Sequence, residues 1–361
     1  MSNATVQRTA STGATYAPWR HAYTVFMALS ILALICSGGL VTSNDAGLAV
    51  PDWPTSYGYN MFAFPLSRWL APGGVRLEHS HRLIATGEGM LSIVLAAWFW
   101  SAEPRRWVRN LAYLTLFAVI LQGLFGGLRV VLRADWIGVP HALLAQAFFA
   151  LVAFIALTQS RWWQRLGEGE KDETLARKLR PMRRHVACIT ALIYLQLGLG
   201  AAMRHAHAGL SILDFPKAYG HWWPHVHKAD LPALNAERTD ILHMPPTSLG
   251  QIHLQMTHRM LAFVIFLGVV AAAVAAWRRG TLLPIGLRRL AYGWPLALAM
   301  QVTLGMYVIW TGKAADVATA HVAVGAMSLV WGVMLYAALR RWSSSLSAAE
   351  PEATSQVPNN V

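Results

Sequence analysis

Residues 79–100 read HSHRLIATGEGMLSIVLAAWFW, a polar head bearing two histidines followed by an apolar run that ends in aromatics. A helix needs about twenty residues to cross a hydrocarbon core of about 30 Å, and this stretch has that length. Seven more runs of similar character lie near residues 23–42, 111–132, 140–159, 186–203, 250–277, 290–311 and 320–339. Together they predict an all-α integral membrane protein with eight transmembrane helices. Composition agrees, because 55% of the 361 residues are hydrophobic and 13% are charged, against about 25% charged in soluble domains. The first run is longer than the 7 to 15 residues or so of a signal-peptide core, so it is expected to be a retained helix.

The net charge of +13 does not point to nucleic acid, because the cations sit in short segments between apolar runs rather than on one face. With both termini in the cytoplasm, 19 of the 30 Lys and Arg fall inside, among them Arg105, Arg106 and Arg109, the eight between Arg161 and Arg184, and Arg278, Arg279, Arg288 and Arg289. This is the positive-inside pattern, and it predicts a multi-pass protein of the cell's inner (plasma) membrane. The segments 43–77 and 204–249 then lie outside, rich in Trp, Pro, Gly and His. The tails, 1–20 and 343–361, read as disordered. Cys36 and Cys188 both lie within apolar runs, which leaves no disulfide framework and no Cys-type metal site.

The two halves of the chain resemble each other. Ala46-Gly47-Leu48 and Asp52-Trp53-Pro54 return 162 residues later as Ala208-Gly209-Leu210 and Asp214-Phe215-Pro216. His81-Arg82 returns as His258-Arg259 at an offset of 177, Gln122 and Gly126 as Gln301 and Gly305 at 179, and His141 as His321 at 180. Four spans per repeat is an even number, so both repeats enter the membrane in the same sense. The expected fold is two tandem, pseudo-symmetric four-helix bundles: a polar tail at 1–22, a first bundle at 23–160, a basic linker at 161–185, a second bundle at 186–340 and a tail at 341–361. Glycines such as Gly38, Gly39, Gly126, Gly127, Gly198 and Gly200 allow either close helix contact or room for a flat macrocycle.

His81 and His141 both fall near the outer end of their spans, and His258 and His321 do the same in the second repeat. Two imidazoles at one depth on two helices of a bundle suit axial ligation of a haem iron. A single such histidine reads more readily as a packing residue, but two pairs at matched depth favour ligation. Zinc is disfavoured, because no third and fourth ligand stands at that depth. Arg82 and Arg259 suit either propionate pairing or snorkelling to the interface.

One position differs. Glu78 precedes His81 by three residues, whereas Gln255 precedes His258 by three. Glu78 and His81 share a helix face, which sets an ionisable group beside one macrocycle site and an amide beside the other. The alternative is a helix-start carboxylate favoured by the helix dipole. The difference reads as one chemical site and one electron-transfer site.

From about residue 20 to 340 the sequence resembles the haem A synthase family. The resemblance rests on Glu78-His79-Ser80-His81-Arg82, which fits the family's E-x-x-H-R pattern, on Gly47 to Pro54, and on Asp214-Phe215-Pro216 with Gly220, Trp222, Trp223 and Pro224. It implies an oxidoreductase that takes a methyl group of haem O to the formyl group of haem A for terminal oxidases, by successive hydroxylations and loss of water from a geminal diol. It also implies haem O between His81 and His141 with Glu78 essential, and haem B as cofactor between His258 and His321. Haem O synthase would be the supplier of substrate, the electron-transfer partner is unnamed, and a homo-oligomer is compatible with the pattern. Some members carry a cysteine pair in each outer loop, and this chain has none there. Its second outer loop instead holds His205, His207, His221, His225, His227, His243 and His253, which read as solvated. A di-haem b-type electron carrier without catalysis accounts for the four histidines equally well, but leaves the difference between Glu78 and Gln255 unexplained.

Overall fold

The computed structural model describes residues 16–168 and 173–345, and among these the regular structure is helical, with two isolated β-bridges and no strand. Eight long helices carry the expected spans: α1 (Pro18–Ser43), α2 (Gly74–Ala102), α3 (Arg106–Val131), α4 (Gly138–Gln159), α5 (Glu173–His205), α6 (Leu249–Arg279), α7 (Ile285–Trp310) and α8 (Ala315–Ser345). All eight are long and apolar enough to cross a membrane. In hydrocarbon every backbone polar group must be satisfied within the segment, which is why such runs become helices. Their outward faces are apolar, with Phe26, Leu29, Ile93 and Phe117 exposed, as expected where lipid is the solvent.

Local signals set the ends. Pro18 opens α1, where a missing N–H costs nothing. Ser248 and Gln251 form a reciprocal capping box at the start of α6. Several helices run past the apolar cores read from the sequence. Pro18–Arg20 and Ser343–Ser345 are helical, so the disordered tails expected from 1–20 and 343–361 are shorter at those ends; the remainder lies outside the described residues. Much of the segment expected as linker is also helical, as Arg161–Arg165 and the first turns of α5. The reason is that hydropathy marks the width of the hydrocarbon, while hydrogen bonding carries a helix beyond it into charged turns.

The chain divides into two compact units, Met1–Gln164 and Arg165–Val361. In the first, α1 packs on α2 and α4, and α3 packs on the same two, closing a ring of four. In the second, α5 packs on α6 and α8, and α7 completes the ring in the same way. A polar contact recurs between the first two helices of each unit: the Tyr23 hydroxyl donates to the Leu91 carbonyl at 2.7 Å, and His185 Nε2 donates to the Gly268 carbonyl at 2.8 Å.

At the end of the first unit away from its histidine pair, Glu103 is buried and holds three helices together. It accepts from Arg20 at 3.3 Å, Arg105 at 2.7 Å and Gln159 at 2.9 Å. Burial pushes the Glu103 carboxyl up, but the Arg105 and Gln159 hydrogen bonds outweigh it and hold the group below the ordinary carboxylate range.

Candidate functional site

Each unit carries a loop that closes its histidine end, and the two loops share one construction. Asp52 accepts from Tyr57 N–H at 2.7 Å and Gly58 N–H at 2.8 Å; Asp214 accepts from Tyr219 N–H at 2.8 Å and Gly220 N–H at 2.9 Å. Tyr57 and Tyr219 both have positive φ, as do the glycines that follow them. Each tyrosine hydroxyl returns to the loop's own start, at Ala49 O and Ser211 O. Burial raises the Asp52 carboxyl, but the Thr55 hydroxyl and the Gly58 and Tyr57 N–H groups bring it below the usual carboxylate value. Asp214 is lowered likewise, by Gly220 and Tyr219 against its burial, with Arg259 nearby. The repeat read from sequence is therefore also a repeat of hydrogen bonding.

Beneath this loop lie the motif residues of α2. Glu78 is 4% exposed; its Oε2 accepts Val50 N–H at 2.8 Å, and its Oε1 pairs with Arg82 at 2.6 Å. Gln255 makes the equivalent contact in the second unit, accepting Ile212 N–H at 2.6 Å while its amide donates to Gly209 O and Ile212 O. Both residues therefore anchor a loop, and the carboxylate differs from the amide in holding an arginine as well. Arg82 also donates to the carbonyls of Asp52, Thr55 and Val50. Arg259 donates to those of Lys217 and Ile212 and lies over the Phe215 ring. Neither arginine merely snorkels; each guanidinium ties α2 or α6 to its loop. His79, whose neighbours sequence reasoning did not foresee, is buried against Phe64 and Trp69 and within 3.1 Å of Ser56 Oγ.

The four histidines stand within the first three turns of α2, α4, α6 and α8. Each meets a glycine on the preceding long helix. A Cβ on Gly38 would stand 2.9 Å from His81 Cε1, and one on Gly126 would stand 3.3 Å from His141 Cε1. The corresponding distances are 3.3 Å for Gly200 and His258 and 3.1 Å for Gly305 and His321. The sequence left these glycines open between helix contact and macrocycle room. The structure assigns them to the imidazoles, since a methyl group there would push the ring out of place. His81 and His141 stand on α2 and α4, which both pack on α1 and α3, and His258 and His321 stand on α6 and α8, which both pack on α5 and α7.

The donor set fits haem. The Nδ1 atoms of His81 and His258 are buried without a hydrogen-bond partner, an unfavourable state for a polar atom that has no ligand to serve. His321 Nδ1 lies 3.1 Å from the Gln301 carbonyl. Donation to that carbonyl fixes the tautomer and leaves the lone pair on Nε2, where the Gln301 side-chain amide lies 3.4 Å away; an imidazole anchored through its second nitrogen is the arrangement of a metal ligand. Among the described residues no three His, Cys, Asp or Glu side chains gather as a metal cluster. In the second loop His221 and His225 meet edge to face, with ring centroids 5.4 Å apart.

The sequence has relatives along nearly its whole length. Proteins named heme A synthase from Geobacillus kaustophilus, Lysinibacillus sphaericus and Bacillus licheniformis are 27%, 26% and 25% identical to it over 91%, 89% and 86% of this chain and 95%, 94% and 92% of their own. The family model COX15-CtaA, cytochrome oxidase assembly protein, matches residues 75–333, which include all four histidines and both loop-anchoring residues Glu78 and Gln255. The chain therefore belongs to the COX15-CtaA family of cytochrome oxidase assembly proteins.

Proposed function

We propose that this protein is a haem A synthase, a membrane oxidoreductase that converts a methyl group of haem O to the formyl group of haem A. The carrying observation is the pair of interior histidines in each unit, alike in their glycine backing and unlike in the side chain beside them. The relatives' names and the family give the reaction its identity.

In this reading the N-terminal half, 23–160, binds haem O between His81 and His141, and the C-terminal half, 186–340, holds haem B between His258 and His321. Haem B, when bound, supplies electron transfer. Gln301 orients His321 through its backbone carbonyl, and the four glycines let the imidazoles sit close to their helices. Glu78 acts on the substrate carbon's attached water or hydroxyl by accepting its proton, and the Arg82 guanidinium holds the carboxylate in place. Gln255 has the same place in the second unit but no titrating charge, which matches a site for electrons rather than chemistry. Arg82 and Arg259 belong to these sites as the braces of the loops above them. The cation asymmetry supports a plasma-membrane location with cytoplasmic termini, and haem O synthase is the chemically natural supplier of the substrate.

The test is expression in a host that makes haem O but no haem A, followed by extraction and chromatography of the haems. A formyl-bearing haem dependent on this protein supports the reading. Haem O unchanged, with a b-type spectrum present, would instead mark an electron carrier.

A further inference from the structure

Glu88 has no part in the chemistry above. It lies in the middle of α2, 2% exposed, where a carboxyl group is costly. The Ser30 hydroxyl on α1 donates to its Oε1, and its Oε2 has no partner. Seven residues separate it from His81, two turns of helix, so the two side chains share a face about 10 Å apart along the axis.

The surface of α2 beside it is bare. Where Gly87 and Gly89 would carry a Cβ, no atom lies within 4 Å, and the same holds at Gly123 on α3. Gly87 stands one turn from Ile84 and from Met90, both exposed on the lipid-facing side. In the second unit the repeat offsets put Leu192 at the place of Ser30, and Val264, Ile265 and Phe266 at Gly87, Glu88 and Gly89, with Val302 at Gly123. Ile265 is as buried as Glu88. One unit thus has a buried hydrogen-bonding group flanked by glycines at a position where the other carries a buried Ile265 flanked by larger apolar side chains, Val264 among them exposed.

Haem O differs from haem B in one substituent. A vinyl group is replaced by an isoprenoid arm that carries a hydroxyl on the carbon joining it to the macrocycle. We propose that Glu88 receives this hydroxyl, which donates to Oε2 while Ser30 holds Oε1, and that the arm lies over Gly87 and Gly89 toward the lipid. Glu88 is then a specificity residue by which the first unit takes an isoprenoid haem bearing a secondary alcohol and leaves haem B to the second. The inference rests on the reading of the first unit as the substrate site. A site built around a hydroxyl discriminates strongly against a ligand that lacks one, because the buried acceptor is left unpaired.

The experiment titrates the purified full-length protein in detergent with haem O and, separately, haem B, followed in the Soret band. Binding to the first unit is defined as the part that His81→Ala removes. Wild type should prefer haem O there, and E88I, which installs the residue of the second unit, should lower that preference about 10- to 100-fold by weakening haem O binding alone. The b-type spectrum of the second unit reports that the variant is folded. Should E88I fail to assemble, E88Q takes its place, with a several-fold drop expected. An unchanged preference in the variant that folds, or an equal loss of both haems, overturns the role of Glu88. Wild type that binds no haem O through His81 overturns the substrate-site reading itself, and this inference with it.

Discussion

Glu78 and Arg82, one helical turn apart on α2, form a buried ion pair at 2.6 Å, and the same carboxylate accepts the Val50 N–H. Structure and chemistry therefore meet in one side chain. Because Gln255 holds the Ile212 N–H in the second unit without any charge, the molecule itself shows that an amide suffices for the loop.

Glu78→Gln is consequently a clean separation of the two roles. The variant should keep its expression level and haem binding, while haem A formation falls at least about 100-fold if proton transfer is lost, within the usual range for removal of a general base. Extracted haem profiles at matched protein level decide it. Near-normal haem A would return Glu78 to loop anchoring alone.

His258→Ala and His321→Ala should each abolish the low-spin b-type spectrum of the second unit. Gln301 reaches His321 Nδ1 through its backbone carbonyl and His321 Nε2 through its side-chain amide at 3.4 Å, so Gln301→Ala should remove the amide contact while leaving the backbone contact and most of the haem in place. Full haem B retention in folded His258→Ala and His321→Ala proteins would refute the ligand assignment.

The glycines make a prediction of their own. A Cβ at Gly38 or Gly305 would crowd His81 or His321, at a cost of about 1–3 kcal/mol in a packed interior. Gly305→Ala should therefore weaken or shift the spectrum of the second unit and spare the first, with Gly38→Ala doing the reverse. Visible spectra of purified variants read this out, and identical spectra for both would deny the glycines any role at the imidazoles.

Glu103 links stability to pH. Its carboxyl lies below the ordinary value of 4.5 in the folded protein, so its hydrogen bonds stabilise the fold fully above that value and are lost as pH falls through the lowered one. Glu103→Ala, which leaves Arg20 and Arg105 without their shared partner, should destabilise by about 3 kcal/mol at pH 7. The difference in thermal unfolding midpoint between wild type and Glu103→Gln should shrink as pH is taken below 4.5. A difference that stays constant with pH would show that the charge contributes nothing.

Span number and the repeat were legible in the sequence because each depends on pattern. A run of apolar residues long enough for lipid has one way to satisfy its backbone, and residues at fixed offsets in a duplicated chain occupy like positions. The ends of the helices were less legible, since charged turns such as those opening α5 prolong a helix without any hydropathy signal. What the sequence could not decide was which atom meets which. Gly38, Gly126, Gly200 and Gly305 are small residues on apolar helices, and only the packing of α1 on α2, α3 on α4 and their counterparts sets them against imidazoles. Arg82 read as a ligand for a propionate or as an interfacial cation, and only the fold showed the three loop carbonyls that it meets. Glu88 was a lone acid in a membrane span until tertiary structure placed Ser30 on one of its oxygens and left the other bare. Pattern follows from the solvent each segment must face and is written along the chain, whereas partnership depends on which helices close the ring and at what register.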